Sequence, residues 1–180
     1  MAIVNNFHMK KRTIILILIC CLLVGIGYTY CWHNPIIISK PYVQNEFLAD
    51  SLYNPIDTID FTQGKNKIII YTNWRDIQCL PEKIKKWTLL ECRDNKTIEK
   101  IKNNFVFERI SNDLVETTDF DSRIYFFKND KLVFSGKFMI EGSISLRFKN
   151  TGWTFATNYN ELISCFLVFE RINFPIVKID

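Results

Sequence analysis

The sequence predicts an α+β protein: an N-terminal transmembrane helix followed by a mainly antiparallel sheet of hairpin and meander type, with two or three helices. Three observations carry that expectation. Residues 13–32 form an apolar run without a formal charge, of about the twenty residues a helix needs to cross a bilayer core. Fifteen Phe and seven Tyr join long Ile and Val runs, a composition rich in β-formers. Turn signals at Asn129-Asp130, Glu141-Gly142 and Thr151-Gly152 divide short apolar stretches, as neighbouring strands require.

The chain divides into a cytoplasmic flank (1–12), a signal-anchor helix (13–32), a juxtamembrane spacer (33–55) and an extracytoplasmic α+β domain (56–180). Of the net charge of +4, three units come from Lys10, Lys11 and Arg12, and beyond position 32 twenty basic residues face nineteen acidic ones. The basic flank holds this end in the cytoplasm by the positive-inside rule, and the rest is exported. Tyr28, Tyr30 and Trp32 form an aromatic belt at the outer interface. These same aromatics sit where a signal peptidase needs small side chains. No cysteine follows the small residue that lipid modification requires. A retained anchor in the cell membrane is therefore expected, with the lipid bilayer as partner along 13–32. The nearly neutral domain has no electrostatic footprint for nucleic acid.

Taken in order, Pro35 to Ser39 reads as extended, and Tyr42 to Leu52 as a short amphipathic helix turning Val43 and Phe47 inward. Thr58 to Thr62 alternates with Ile59 and Phe61 on one face. Gln63 to Asn66 turns into Lys67 to Thr72, making a hairpin whose second strand is buried on both faces. Leu80, Ile84, Trp87 and Leu90 recur at helical steps, with Pro81 suited to the first turn. A second helix starts at Asp94 as cap and carries Ile98 and Ile101 inward to Asn103-Asn104. Lysines 83, 85, 86, 96, 100 and 102 line this helix and its predecessor, as a solvated face or, in the alternative, a basic docking surface for anionic lipid or a partner. Phe105 to Ile110 returns to β character before an acid-rich loop at 111–121.

The clearest topological signal is Ile124 to Lys128, Asn129-Asp130, then Lys131 to Phe134: a two-residue hairpin with turn residues that tolerate positive φ. It pairs Phe127 with Leu132, Phe126 with Val133, and Tyr125 with Phe134. Apolar on both faces, it belongs at the centre of a covered sheet. Ile144, Leu146 and Phe148 alternate with polar residues in the next strand, and Trp153 to Thr157 makes another, completing a meander over 122–157. Residues 158–170 fit a helix carrying Leu162, Phe166 and Phe169 or a buried strand. Pro175 and Val177 belong to an extended tail.

The histidines, His8 and His33, both lie outside the domain, which excludes His-dependent triads and most zinc or haem sites built from its own residues. No P-loop, Gly-x-Gly-x-x-Gly or Gly-x-Ser-x-Gly occurs. No catalytic, cofactor-binding or metal-ligating residue is therefore assigned. In an oxidising compartment Cys79 and Cys92 are candidates for a disulfide, with Cys165 a buried thiol. The carboxylates Asp113, Glu116, Asp119 and Asp121 lack calcium-loop spacing.

Ile68-Ile69-Ile70-Tyr71-Thr72-Asn73-Trp74, followed by Asp76-Ile77-Gln78-Cys79, resembles the strand, active-site loop and helix of thioredoxin-like proteins, and Phe126 to Val133 resembles that family's late hairpin. The resemblance implies Asp76 at the nucleophilic cysteine's position and Cys79 at the resolving one's. The family's proline before the hairpin is replaced by Ser122-Arg123. The leading expectation is a membrane-anchored, non-enzymatic binding or interaction domain with a protein partner in the envelope. The alternatives are a degenerate thioredoxin-like redox protein centred on Cys79 and a structural subunit of a membrane complex.

Overall fold

The computed structural model describes residues 2–39, 45–73, 75–85, 88–109, 122–140, 142–174 and 176–179. In chain order the elements are α1 (Ala2–His33), β1 (Ile36–Ser39), β2 (Leu52–Tyr53), β3 (Asn66–Tyr71), α2 (Asp76–Cys79), β4 (Leu89–Cys92), α3 (Asn95–Asn104) and β5 (Phe107–Glu108). They continue with β6 (Arg123–Lys128), β7 (Lys131–Met139), β8 (Ser145–Phe148), β9 (Gly152–Ala156), α4 (Tyr159–Phe166), β10 (Glu170–Arg171) and β11 (Ile176–Ile179).

Among the described residues nine strands form one sheet in the order β10-β4-β3-β6-β7-β8-β9-β5-β2, and every neighbouring pair is antiparallel. The expected meander is the run β6-β7-β8-β9. Its β6–β7 turn places Asn129 at φ 50 and Asp130 at φ 62, the paired positive values of a turn whose twist matches the flanking strands. The register departs from expectation after one pair. Phe127 faces Leu132, but a bulge then sets Phe126 against Phe134 and Tyr125 against Ser135. The extra residue, Val133, is turned 40% to solvent, while Phe134 packs on Phe126 with ring centroids 5.9 Å apart. Burying the larger ring in place of valine gives the bulge its advantage.

An aromatic core runs along one face of the sheet. Phe61 contacts Phe126, which contacts Phe105; Phe105 meets Phe107, Phe107 meets Phe148, and Phe148 meets Phe47, at centroid separations of 4.7 to 6.4 Å. Ile98 and Ile101 of α3 and Leu162 and Phe166 of α4 complete this cluster. Gly136 lets β7 approach β8, since a Cβ there would lie 2.5 Å from Leu146 Cδ1. The opposite sheet face buries Ile69, Leu89, Tyr125 and Phe127 under Ile37, Val177 and Ile179. These three belong to β1 and β11, which pair in parallel as a separate two-stranded sheet. The C-terminal tail is therefore a strand, paired with the segment that leaves α1.

Three local expectations are corrected. Residues 45–51 are not helical: Phe47 N–H donates to Asn150 Oδ1 at 2.8 Å and Phe47 C=O accepts from Asn150 Nδ2 at 2.9 Å, satisfying the backbone from outside. Residues 42–44 lie outside the described residues. Thr58 to Thr62 is a turn followed by loop, because Asp60 Oδ1 accepts from Thr62 N–H at 2.9 Å, Glu99 takes Phe61 N–H at 2.5 Å, and Asn66 Nδ2 donates to Phe61 C=O at 2.8 Å. Side chains replace the ladder, yet Phe61 is still buried. Of the helix expected over 80–90, residues 82–85 form a turn and Leu89–Cys92 is recruited as β4 between β3 and β10; Lys86 and Trp87 lie outside the described residues.

α3 is as expected: Asp94 Oδ2 accepts from Thr97 N–H at 2.9 Å and from its hydroxyl at 2.7 Å. The ambiguous 158–170 resolves into α4 and β10. Ile110 and the acidic loop 111–121 lie outside the described residues.

Candidate functional site

A polar cleft of 640 Å³ opens where the start of β3, the β4–α3 junction and the β6–β7 turn converge. Gly64 at φ +91 turns the chain into β3. Lys65 and Lys67 reach the cleft from this segment, Arg93, Asp94 and Asn95 from the far side, and Asp130 from the hairpin turn. The β6–β7 turn is locked to the preceding loop: Asn129 N–H donates to Lys65 C=O at 2.7 Å, and Lys65 N–H donates to Asn129 Oδ1 at 3.1 Å.

At the floor, Asn66 Nδ2 donates to Gln63 C=O at 3.1 Å and Asn95 Oδ1 at 3.0 Å, besides Phe61 C=O. Its Oδ1 is buried and has no hydrogen-bond partner among the described residues, leaving one acceptor unsatisfied beside the cleft. The charges are balanced locally. Lys67 Nζ lies 3.7 Å from Asp130 and 4.6 Å from the centroid of Phe127, while Arg93 pairs with Glu91 at 2.8 Å. The Glu91 hydrogen bond raises the Arg93 pKa, and the two Thr97 hydrogen bonds hold the Asp94 carboxyl below its ordinary value. The cleft thus offers charges of both signs and amide groups, a surface for polar recognition.

Asp76 and Cys79, singled out by the thioredoxin-like resemblance, sit on α2, a single turn. Asp76 is fully buried. Its Oδ1 accepts from Ile140 N–H at 2.8 Å and its Oδ2 from Asn73 Nδ2 at 3.1 Å, tying the end of β7 to the loop after β3. Cys79 is half-buried, its Sγ 3.9 Å from Arg75 C=O. No disulfide joins the described cysteines; Cys92 and Cys165 are buried in the main core. Burial pushes the Cys92 thiol up to about 11 and raises that of Cys165 as well.

At the other candidate region, the helix Lys10–His33 is long and apolar enough to cross a membrane. Lys10, Lys11, Arg12, Tyr28 and Tyr30 are exposed and Trp32 is half-buried. The Tyr28 and Trp32 rings lie tilted with centroids 5.5 Å apart, and the Arg171 guanidinium lies 3.4 Å from the Trp32 ring centroid. Sequence reasoning missed Arg171, since nothing local links a cation on β10 to an aromatic at a helix exit. Among the described residues no group of three or more His, Cys, Asp or Glu could hold a metal ion. The fold and these two regions describe an α+β domain carried on an apolar helix. Compared with protein-family models, curated proteins and solved structures, the chain matches none, so the functional reading rests on its own residues.

Proposed function

We propose that this chain is a single-pass membrane protein, N-terminus in the cytoplasm, that presents its α+β domain outside the cytoplasm as a non-enzymatic binding or interaction module. The observation that carries it is the helix Lys10–His33: 24 residues with none of its apolar window buried in the protein. Such a surface finds its partner in hydrocarbon rather than in water. The basic flank supports the orientation, and the polar cleft is the module's binding surface, with an envelope protein as the partner.

Affinity capture from gently solubilised membranes, with and without residues 9–32, tests this. The chain lacking the helix is expected to retrieve the same partner, and Lys65→Glu with Arg93→Glu to abolish retrieval. Loss of the partner on deleting the helix alone would favour a structural subunit held laterally by its membrane segment. Rapid thiol labelling of Cys79 accompanied by reversible oxidation would favour the redox alternative.

A further inference from the structure

The two strands beside the helix exit have opposite faces of different character. Ile37, Val177 and Ile179 face the sheet, while Ile36, Ile38 and Ile176 face away, exposed by 45%, 53% and 41%. Ile36 and Ile176 are direct partners in the register. Phe174, two residues earlier in the chain, is 59% exposed. Together they place four large apolar side chains on the outward side of β1, β11 and the residues just before β11.

The patch has little freedom to move away from the helix. Only Asn34 and Pro35 separate α1 from β1, and Asn34 N–H still bonds Tyr30 C=O at 2.9 Å, so Ile36 stays within roughly 10 Å of the helix end. The Arg171 contact pins Trp32 to the domain. Where Trp32 lies at the membrane interface, these constraints bring the patch there too. Lys178, the register partner of Ile38, sets a positive charge on the same outward face, and Arg171 sets another at Trp32.

We infer that the outward face of β1 and β11, with Phe174, lies on the leaflet from which the helix emerges, so that the domain is docked on the lipid surface rather than suspended from a flexible stalk. Phe174, Ile36 and Ile176 occupy the boundary between headgroups and acyl chains, and Arg171 and Lys178 lie beside the lipid phosphates. This rests on the proposed membrane reading of α1.

The test uses the full chain in nanodiscs carrying one copy each, made with lipids brominated near the top of the acyl chains. Quenching of Trp32, identified by its loss in Trp32→Phe, reports the helix. Phe174→Trp adds an indole at an exposed position and reports the patch. The expected result is quenching of the introduced indole to the extent seen for Trp32, with a blue-shifted emission maximum. Quenching of Trp32 without quenching at 174 would overturn the docked face and leave the anchor standing. Quenching of neither would remove both. An indole at 174 shielded from brominated lipid and from aqueous acrylamide alike would mean that protein covers the face, which also overturns the inference.

Discussion

Replacing Asp76 by cysteine would write Cys-x-x-Cys into the loop that resembles the thioredoxin-like active site. The structure predicts that this unfolds the protein more readily instead of activating it. The Asp76 carboxylate accepts the N–H of Ile140, a residue with no solvent exposure. Orphaning such a donor costs about 1–3 kcal/mol. The second bond, from the half-buried Asn73 amide, adds about 1 kcal/mol, because that amide can rehydrate. Asp76→Cys and Asp76→Ala should each cost about 3 kcal/mol, a fall of about 1.5 M in urea midpoint for a slope near 2 kcal/mol per molar. Asp76→Asn should cost about half as much. Its carbonyl can still serve Ile140, but its amide would meet that of Asn73, which cannot flip because Asn73 Oδ1 accepts from Arg75 and Asp76 N–H at 2.8 and 3.0 Å. Urea unfolding of the full chain in detergent, followed by near-ultraviolet circular dichroism, orders the three variants. An Asp76→Cys protein with the parental midpoint and a reversibly oxidisable dithiol would refute the structural role and favour the redox reading.

Further expectations concern the cleft and the core. Gly64→Ala should destabilise by about 1–3 kcal/mol, since φ is +91 and the new Cβ would collide with Asn129 Oδ1; an unchanged urea midpoint would count against the loop lock. Asp130→Gly should stabilise by about 0.5–1 kcal/mol by relieving positive φ in the turn, because the ion pair it loses is 3.7 Å long with its carboxylate 65% exposed and is worth little. The Cys92 thiol, raised from 9.0 to about 11, binds its proton more tightly folded than unfolded. Its contribution is therefore complete below pH 9 and is lost as pH rises towards 11, on the order of 2 kcal/mol. Chemical unfolding at pH 8 and pH 11 should show that loss, with a flatter profile in Cys92→Ala.

Much of the fold was legible where the local signal and the tertiary demand agreed. The Asn129-Asp130 turn takes its positive φ values from its own two residues, the Asp94 cap bonds Thr97 three positions on, and the apolar run Ile68–Ile70 marks a strand buried on both faces between β4 and β6. The errors fall where distant side chains intervene: Asn150 clamps Phe47, Glu99 takes the N–H of Phe61, and β3 recruits Leu89–Cys92 out of a helical repeat. Burial was read better than conformation, since Phe47, Phe61, Ile84 and Leu90 are all inside although their expected elements are not formed. The cleft was not legible at all. Its lining comes from three separate segments, and lysines, asparagines and aspartates at turns give the same sequence signal whether or not they converge.

The parallel pairing of β1 with β11 changes what an anchorless form of the protein has to retain. Removing residues 9–32 leaves Ile36–Ser39 in place, so Ile37 can still cover the second core with Val177 and Ile179. Cutting at position 55, where the expected spacer ends, would delete β1 and β2 together. It would strip Phe47 from the aromatic core and open Ile69, Leu89, Tyr125 and Phe127 to water. Each fully buried aromatic or aliphatic side chain contributes about 1.5–3 kcal/mol, so uncovering several of them exceeds the reserve of an ordinary domain. A chain beginning at His33 should unfold cooperatively in urea, whereas one beginning at Ile56 should bind a hydrophobic dye and lack near-ultraviolet circular dichroism. If the shorter chain keeps a cooperative transition, β1 is a passive linker, and the segment joining helix to sheet carries none of the stability that its pairing implies.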